Sequence, residues 1–132
     1  MKLIVCVENS MGLMFNNRRV SMDRAVVEDI KEWLGGARLS ASRYTSNMLK
    51  DYGCSVDRVT DMPGADDTYY FLEDADVSSI SGEISKIVLY RWNRNYPFDR
   101  KFDVDLAGYR LESCYEFVGN SHEKLTREVY VR

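Results

Sequence analysis

The chain has 132 residues, of which 45% are hydrophobic and 30% charged, and its formal net charge is −3. That is the size and composition of one globular domain, able to bury roughly two thirds of the surface its unfolded form exposes. It excludes a disordered chain, and the acidic balance gives no general attraction to nucleic acid or an anionic membrane. No apolar run approaches a membrane span. The first one, Leu3 to Val7, begins directly after Lys2 and does not read as a signal peptide. Cys6, Cys54 and Cys114 are odd in number and far apart, as expected of reduced thiols in a cytoplasmic protein. With no Cys-x-x-Cys pair and His122 as the one histidine, no metal site is expected.

In chain order, Lys2 to Val7 is almost continuously apolar, as in a strand covered on both faces. A glycine turn at Met11-Gly12-Leu13 and a polar loop, Asn16-Asn17-Arg18-Arg19, follow. From Ser21 to Leu34, apolar Met22, Val26, Ile30, Trp33 and Leu34 recur at helical spacing. Ser21 reads as the N-cap, Asp23 as a first-turn charge, and Gly35-Gly36 as the stop. A short strand is expected near Arg38 to Ser40. A second helix is expected from Ser42 to Tyr52, with Tyr44, Met48, Leu49 and Tyr52 inward and Gly53 ending it.

Cys54 to Val59 reads as a strand and Asp61-Met62-Pro63-Gly64 as a turn. Thr68 to Leu72 is a β-branched and aromatic strand, and 76–85 a short helical or irregular piece. Lys86 to Trp92 is another strong strand, followed by a polar, aromatic loop to about Lys101. Arg110 to Val118 alternates, with Leu111, Ser113, Tyr115 and Phe117 on one face. Leu125 to Val131 alternates again, and the two runs form a closing antiparallel hairpin around Gly119-Asn120. Residues 1–132 thus predict a single α/β domain, with a mixed, mostly parallel sheet flanked by helices and a C-terminal hairpin.

Three segments carry a resemblance. The first is the opening strand with its Gly12 turn. The second is Glu28-Asp29-Ile30-Lys31-Glu32-Trp33, an acid followed by an aliphatic and an aromatic residue on a helix. The third is Ser42-Arg43-Tyr44-Thr45, opening the second helix. In these, and in element order over most of its length, the chain resembles the dihydrofolate reductase family. The resemblance implies that fold, NADPH as cofactor, Asp29 gripping the amidine-like edge of a pterin, and Arg43 and Thr45 holding a cofactor phosphate. The family's pyrophosphate-binding glycines are replaced in this chain by Glu73-Asp74-Ala75-Asp76, which puts carboxylates where phosphate should sit. A strand and a helix between Gly53 and Thr68 are missing, and Arg18-Arg19 replaces the family's Pro-Trp. The chain is also similar to small bacterial proteins that carry the label ribonuclease Z, but a two-zinc cage needs a cluster of histidines.

The leading expectation is a binding or interaction module without enzymatic activity, on a degenerate reductase-like scaffold. Its contact surfaces would be Arg91, Trp92, Arg94, Tyr96 and Phe98, where aromatics interleave with arginines, and the Arg43 end of the second helix. Its partner would be a protein or a small anionic or heterocyclic ligand, neither nucleic acid nor membrane, with no cofactor. One alternative is a pterin- or nucleotide-binding enzyme using Asp29, its carboxyl buried in a pocket. The other is an RNA-acting protein in which His122 does acid–base work beside Lys124, Arg127 and Tyr130.

Overall fold

The computed structural model describes residues 1–62, 68–76 and 83–132. The turn expected at 61–64 and the piece expected over 76–85 fall partly outside the described residues. Strand β1 (Lys2–Val7) lies inside the main sheet because its side chains are apolar on both faces. Strands β4 (Arg38–Ala41), β5 (Asp57–Arg58), β6 (Thr68–Phe71), β7 (Lys86–Arg91), β9 (Arg110–Phe117) and β10 (Leu125–Val131) complete it. The order across these seven strands is β5-β4-β6-β1-β7-β10-β9. From β5 through β7 the pairings are parallel, while β10 is antiparallel to both β7 and β9. The fold is therefore α/β, with a mixed, mostly parallel sheet and a C-terminal antiparallel hairpin, as the hydrophobic pattern predicts.

Helices α1 (Arg24–Leu34) and α2 (Arg43–Asp51) cover one face. Val26, Val27 and Ile30 of α1 and Met48 and Leu49 of α2 pack there with Ile4, Phe71, Val88 and Val129. The alternate residues of the same strands, including Leu3, Val5, Tyr70 and Leu89, meet Leu13, Met14 and Phe102 on the other face. Some of that cover comes from a second sheet that the hydrophobic pattern does not announce. Strand β2 (Gly12–Phe15) pairs with both β3 (Arg18–Arg19) and β8 (Arg100–Lys101). Asn16 and Asn17 join β2 to β3 with φ of 51° and 61°, so the expected polar loop is a two-residue hairpin turn. Asparagine tolerates the left-handed region that such a turn demands.

Four further expectations are corrected. The N-cap of α1 is Asp23, not Ser21: its carboxylate accepts the Ala25 N–H at 2.9 Å. The strand expected over Cys54 to Val59 contracts to Asp57–Arg58, and Cys54 turns inward at the end of α2. Leu111 does not share a face with Ser113 and Tyr115. Ser113 pairs with Val129 and Leu111 with Tyr130, so Glu112 is an extra residue that reverses the alternation. Finally, Trp92 is core: it is 2% exposed and stacks on His122 with ring centroids 4.9 Å apart. Truncating such a residue leaves a large cavity. Trp92→Ala is expected to cost about 3–5 kcal/mol of unfolding free energy by urea titration. A cost below about 1 kcal/mol would return Trp92 to the surface.

Candidate functional site

Parallel strands place their carboxyl ends together, and in open α/β sheets ligands bind outside those ends. In this sheet β1, β4 and β6 deliver Glu8, Ser42 and Glu73 to that edge. The N-terminus of α2 opens there, its first N–H groups lacking intrahelical acceptors. An anion would suit this place, and the chain supplies its own. Glu73 is 6% exposed and accepts both Arg19 Nε (2.9 Å) and Arg19 Nη2 (3.0 Å). Thr45 Oγ1 donates to the same carboxylate at 2.8 Å. Ser42 Oγ donates to Asp74, 2.9 Å from Oδ1. The Arg19 guanidinium also lies over the Tyr44 ring, 4.3 Å from its centroid. Two of the three expected carboxylates thus face α2, while Asp76 pairs with Arg100.

Thr45 is consequently buried and engaged, and of the expected anion-binding pair only Arg43 is exposed. Arg43 and Arg58 line a cavity of about 560 Å³ beside Asp74. Cys6 lies beneath the Arg19–Glu73 pair, and burial, reinforced by Glu73, pushes its thiol pKa up. It behaves as a small apolar residue rather than a nucleophile.

Asp29, on α1, is held by residues of β7 and β10. Tyr90 O–H donates to Oδ2 at 2.6 Å, and Arg127 Nη1 lies 2.7 Å from Oδ2 and 2.9 Å from Oδ1. The Arg127 guanidinium is in turn flanked by the rings of Trp33 and Tyr115, at 4.9 and 5.0 Å. Burial, with Asp29 beside it, holds the Tyr90 hydroxyl well above the usual phenol range. The carboxylate is thus already bound by a cation and a phenol, and it borders a cavity of about 320 Å³ with Ala25, Tyr115 and Phe117. Its partner is Arg127, which no local pattern in the sequence marks.

The third cluster joins residues that stand far apart in the sequence. Asp23 Oδ1 accepts the N–H groups of Ala25 and Asn120, each at 2.9 Å. Oδ2 accepts the Ser121 N–H and His122 Nδ1, both at 2.9 Å. Asp23 is 2% and His122 3% exposed. Desolvation pushes the Asp23 pKa up, but the N–H of Asn120, the His122 ring and the N–H groups of Ser121 and Ala25 outweigh it. They hold the carboxyl well below the usual range. On the far side of the imidazole, Nε2 lies 3.0 Å from Ser21 Oγ and 3.1 Å from Tyr96 O–H. An ideal Cβ at Gly119 would come within 2.5 Å of Asp23 Oδ2, so the turn approaches as closely as it does only with glycine there.

The expected contact loop is largely inward or engaged. Arg91 Nε binds Glu128 at 2.7 Å, Trp92 is buried, and Tyr96 reaches His122. Arg94 Nη2 donates to Ser121 O at 2.9 Å, tying the loop to the hairpin turn, and Phe98 is exposed. The RNA-directed grouping does not assemble. Lys124 pairs with Glu116, Arg127 with Asp29, and Tyr130 O–H donates to Glu128. Among the described residues no cluster of His, Cys, Asp and Glu has the arrangement of a metal site. No helix of the described residues is long and apolar enough to cross a membrane. No protein-family model matches the chain, and no curated protein matches it.

The depressed Asp23 pKa fixes the sign of a pH effect. The group's folded-state pKa lies below its unfolded value of about 3.9. Its stabilisation is therefore present above that value and lost as pH falls through the folded one. Asp23→Asn is expected to lower unfolding free energy by about 3 kcal/mol at neutral pH. The gap between variant and wild type should narrow below about pH 4. A gap that is constant with pH in urea titrations would show that the charge of Asp23 is not what stabilises the hairpin.

Proposed function

We propose that this chain is a binding and interaction module on a scaffold similar to that of the dihydrofolate reductases, without reductase chemistry. The observation that carries the reading is β9. All but the last of its eight residues are exposed. Leu111 and Tyr115 are each 49% exposed, and Val118, just beyond the strand, is 77% exposed. A strand at a sheet edge presents unpaired backbone groups to any extended partner, and exposed apolar residues add area that a partner can bury. Strand β9 is therefore proposed as the contact surface in place of the loop Arg91 to Phe98 and the Arg43 end of α2.

The reductase alternative loses support at two points. The place where the resemblance would seat a cofactor phosphate holds Glu73, bound by Arg19 and Thr45. A phosphate brought there would meet a buried carboxylate. The acid that would hold a pterin is taken by Tyr90 and Arg127. Titration with NADPH, followed by quenching of Trp33 and Trp92 fluorescence, is expected to show no saturation up to about 1 mM, a binding free energy weaker than about −4 kcal/mol. Saturation at micromolar cofactor would overturn this part of the reading.

The interaction itself is tested in cells with a photo-crosslinking amino acid in place of Tyr115 or Leu111, and in place of exposed Lys50 as a control. Both β9 positions are expected to give a discrete crosslinked species that the control lacks. No species from either position would remove β9 as the contact surface.

A further inference from the structure

We propose that Ser21, His122 and Asp23 form a nucleophile relay, in which Ser21 Oγ accepts the acyl group of a small ester. The order of hydrogen bonds carries this. Ser21 Oγ lies 3.0 Å from His122 Nε2, and His122 Nδ1 lies 2.9 Å from Asp23 Oδ2. A nucleophile held by a base, and the base held by a carboxylate on its other nitrogen, is the arrangement that activates a serine hydroxyl.

Each member is in a state that suits the role. Asp23 is buried and anionic, fixed by the N–H groups of Ala25, Asn120 and Ser121. An anionic Asp23 on Nδ1 requires the proton there, which leaves one lone pair on Nε2, facing both Ser21 Oγ at 3.0 Å and Tyr96 O–H at 3.1 Å; in the relay Ser21 takes it. Trp92 stacks on the imidazole with an interplanar angle of 26° and restrains the ring. Asp23 and His122 are shielded from solvent, whereas Ser21 is only partly buried. Capping α1 uses the Ala25 N–H, and anchoring the hairpin uses the Asn120 and Ser121 N–H groups, the Ser121 hydroxyl and the Nδ1 side of His122. Neither task needs a hydroxyl on the far nitrogen, Nε2.

Tyr96 Oη lies 3.1 Å from Nε2 and accepts from Ser21 Oγ at 3.4 Å; once Ser21 turns its proton to Nε2, the Tyr96 O–H would be the side-chain donor for the carbonyl oxygen. The N-terminal end of α1, which favours negative charge, begins within a few residues of Ser21. In the step itself, Ser21 Oγ bonds to the ester carbonyl carbon and its proton passes to His122 Nε2. The bond from that carbon to the alkoxy oxygen then breaks, and Nε2 returns the proton to the departing alkoxide, releasing an alcohol. Solvent water attacks the acyl-serine by the same route, its proton passing through Nε2 to Ser21 Oγ as the carboxylic acid leaves. Ser21 and His122 are the catalytic residues, and Asp23 is a positioning residue.

The test is covalent labelling of the full chain with a fluorophosphonate probe, mapped by peptide mass spectrometry. One adduct on Ser21 is expected, absent in Ser21→Ala and formed about 100-fold more slowly or less in His122→Gln. Because His122→Gln also removes a packed ring, Ser21→Cys gives a second readout. The introduced thiol, followed on its own peptide to separate it from exposed Cys114, should react with iodoacetamide as a thiolate well below the ordinary pKa of about 8.5. Adding Asp23→Asn, which lowers stability, should return that titration toward the ordinary value under conditions where circular dichroism shows the variant still folded. No adduct, an adduct confined to another serine, or an introduced thiol titrating at its ordinary value would each overturn the relay.

Discussion

The Asp23 carboxylate is the constraint on which the C-terminal half of the sheet depends. It caps α1 at Ala25 and accepts from Asn120, Ser121 and His122, nearly a hundred residues further along the chain. One buried side chain thus fixes how the helix enters and where the β9–β10 turn sits. His122 extends the fixation, since it stacks on Trp92 and reaches Ser21 and Tyr96. Losing the carboxylate would leave several buried donors without acceptors, which costs more than any single bond returns. The packing of β10 on β7 brings Leu125 and Val129 into the core, and it is the polar anchor that fixes where the hairpin turns.

The same rule governs the other buried acids. Glu8 is 2% exposed and accepts from Ser10 N–H, Gly12 N–H and Tyr96 N–H, holding the end of β1 to the loop beyond β7. Glu73 and Asp29 each take an arginine together with a hydroxyl. A buried charge is tolerated only when paired and hydrogen-bonded. In this protein the hydrogen bonds to each of these four acids come from the chain itself, and Glu73 and Asp29 each have an arginine as well. That matters for function, because a ligand competing for Arg19 or Arg127 would have to leave a buried carboxylate uncompensated.

Periodicity made the sheet legible. Apolar continuity marked β1 and β7, and helical spacing marked α1 and α2, because those signals report burial directly. What it did not reveal were features set by single residues. The β2–β3 hairpin was signalled by Asn16-Asn17, whose tolerance of positive φ is the information, yet the pair reads first as polar loop. The insertion at Glu112 leaves no mark in a sequence that alternates on paper, and it sends Leu111 to the other face. The N-cap shifted from Ser21 to Asp23 because both are good capping residues two positions apart. The clusters were less legible still. Asp23 with His122, and Asp29 with Arg127, are joined only by the return of β10 to the sheet.

Those long-range pairings also separate two surfaces. At the carboxyl ends of β4 and β6 Glu73, Asp74 and Thr45 are bound by the chain itself, and Arg43 and Arg58 line the cavity beside them. At β9 the strand pairs with β10 along one edge and no described strand lies on the other. The irregularity at Glu112 interrupts that edge, as protected edges commonly are. It leaves Ser113 to Phe117 as the regular stretch, with Tyr115 stacked on Phe117 at 5.7 Å and on the Arg127 guanidinium at 5.0 Å. Tyr115 is thus ordered by its neighbours while remaining half exposed. An aromatic side chain held still before a partner arrives loses little conformational entropy on binding, which is the physical ground for proposing contact at this stretch.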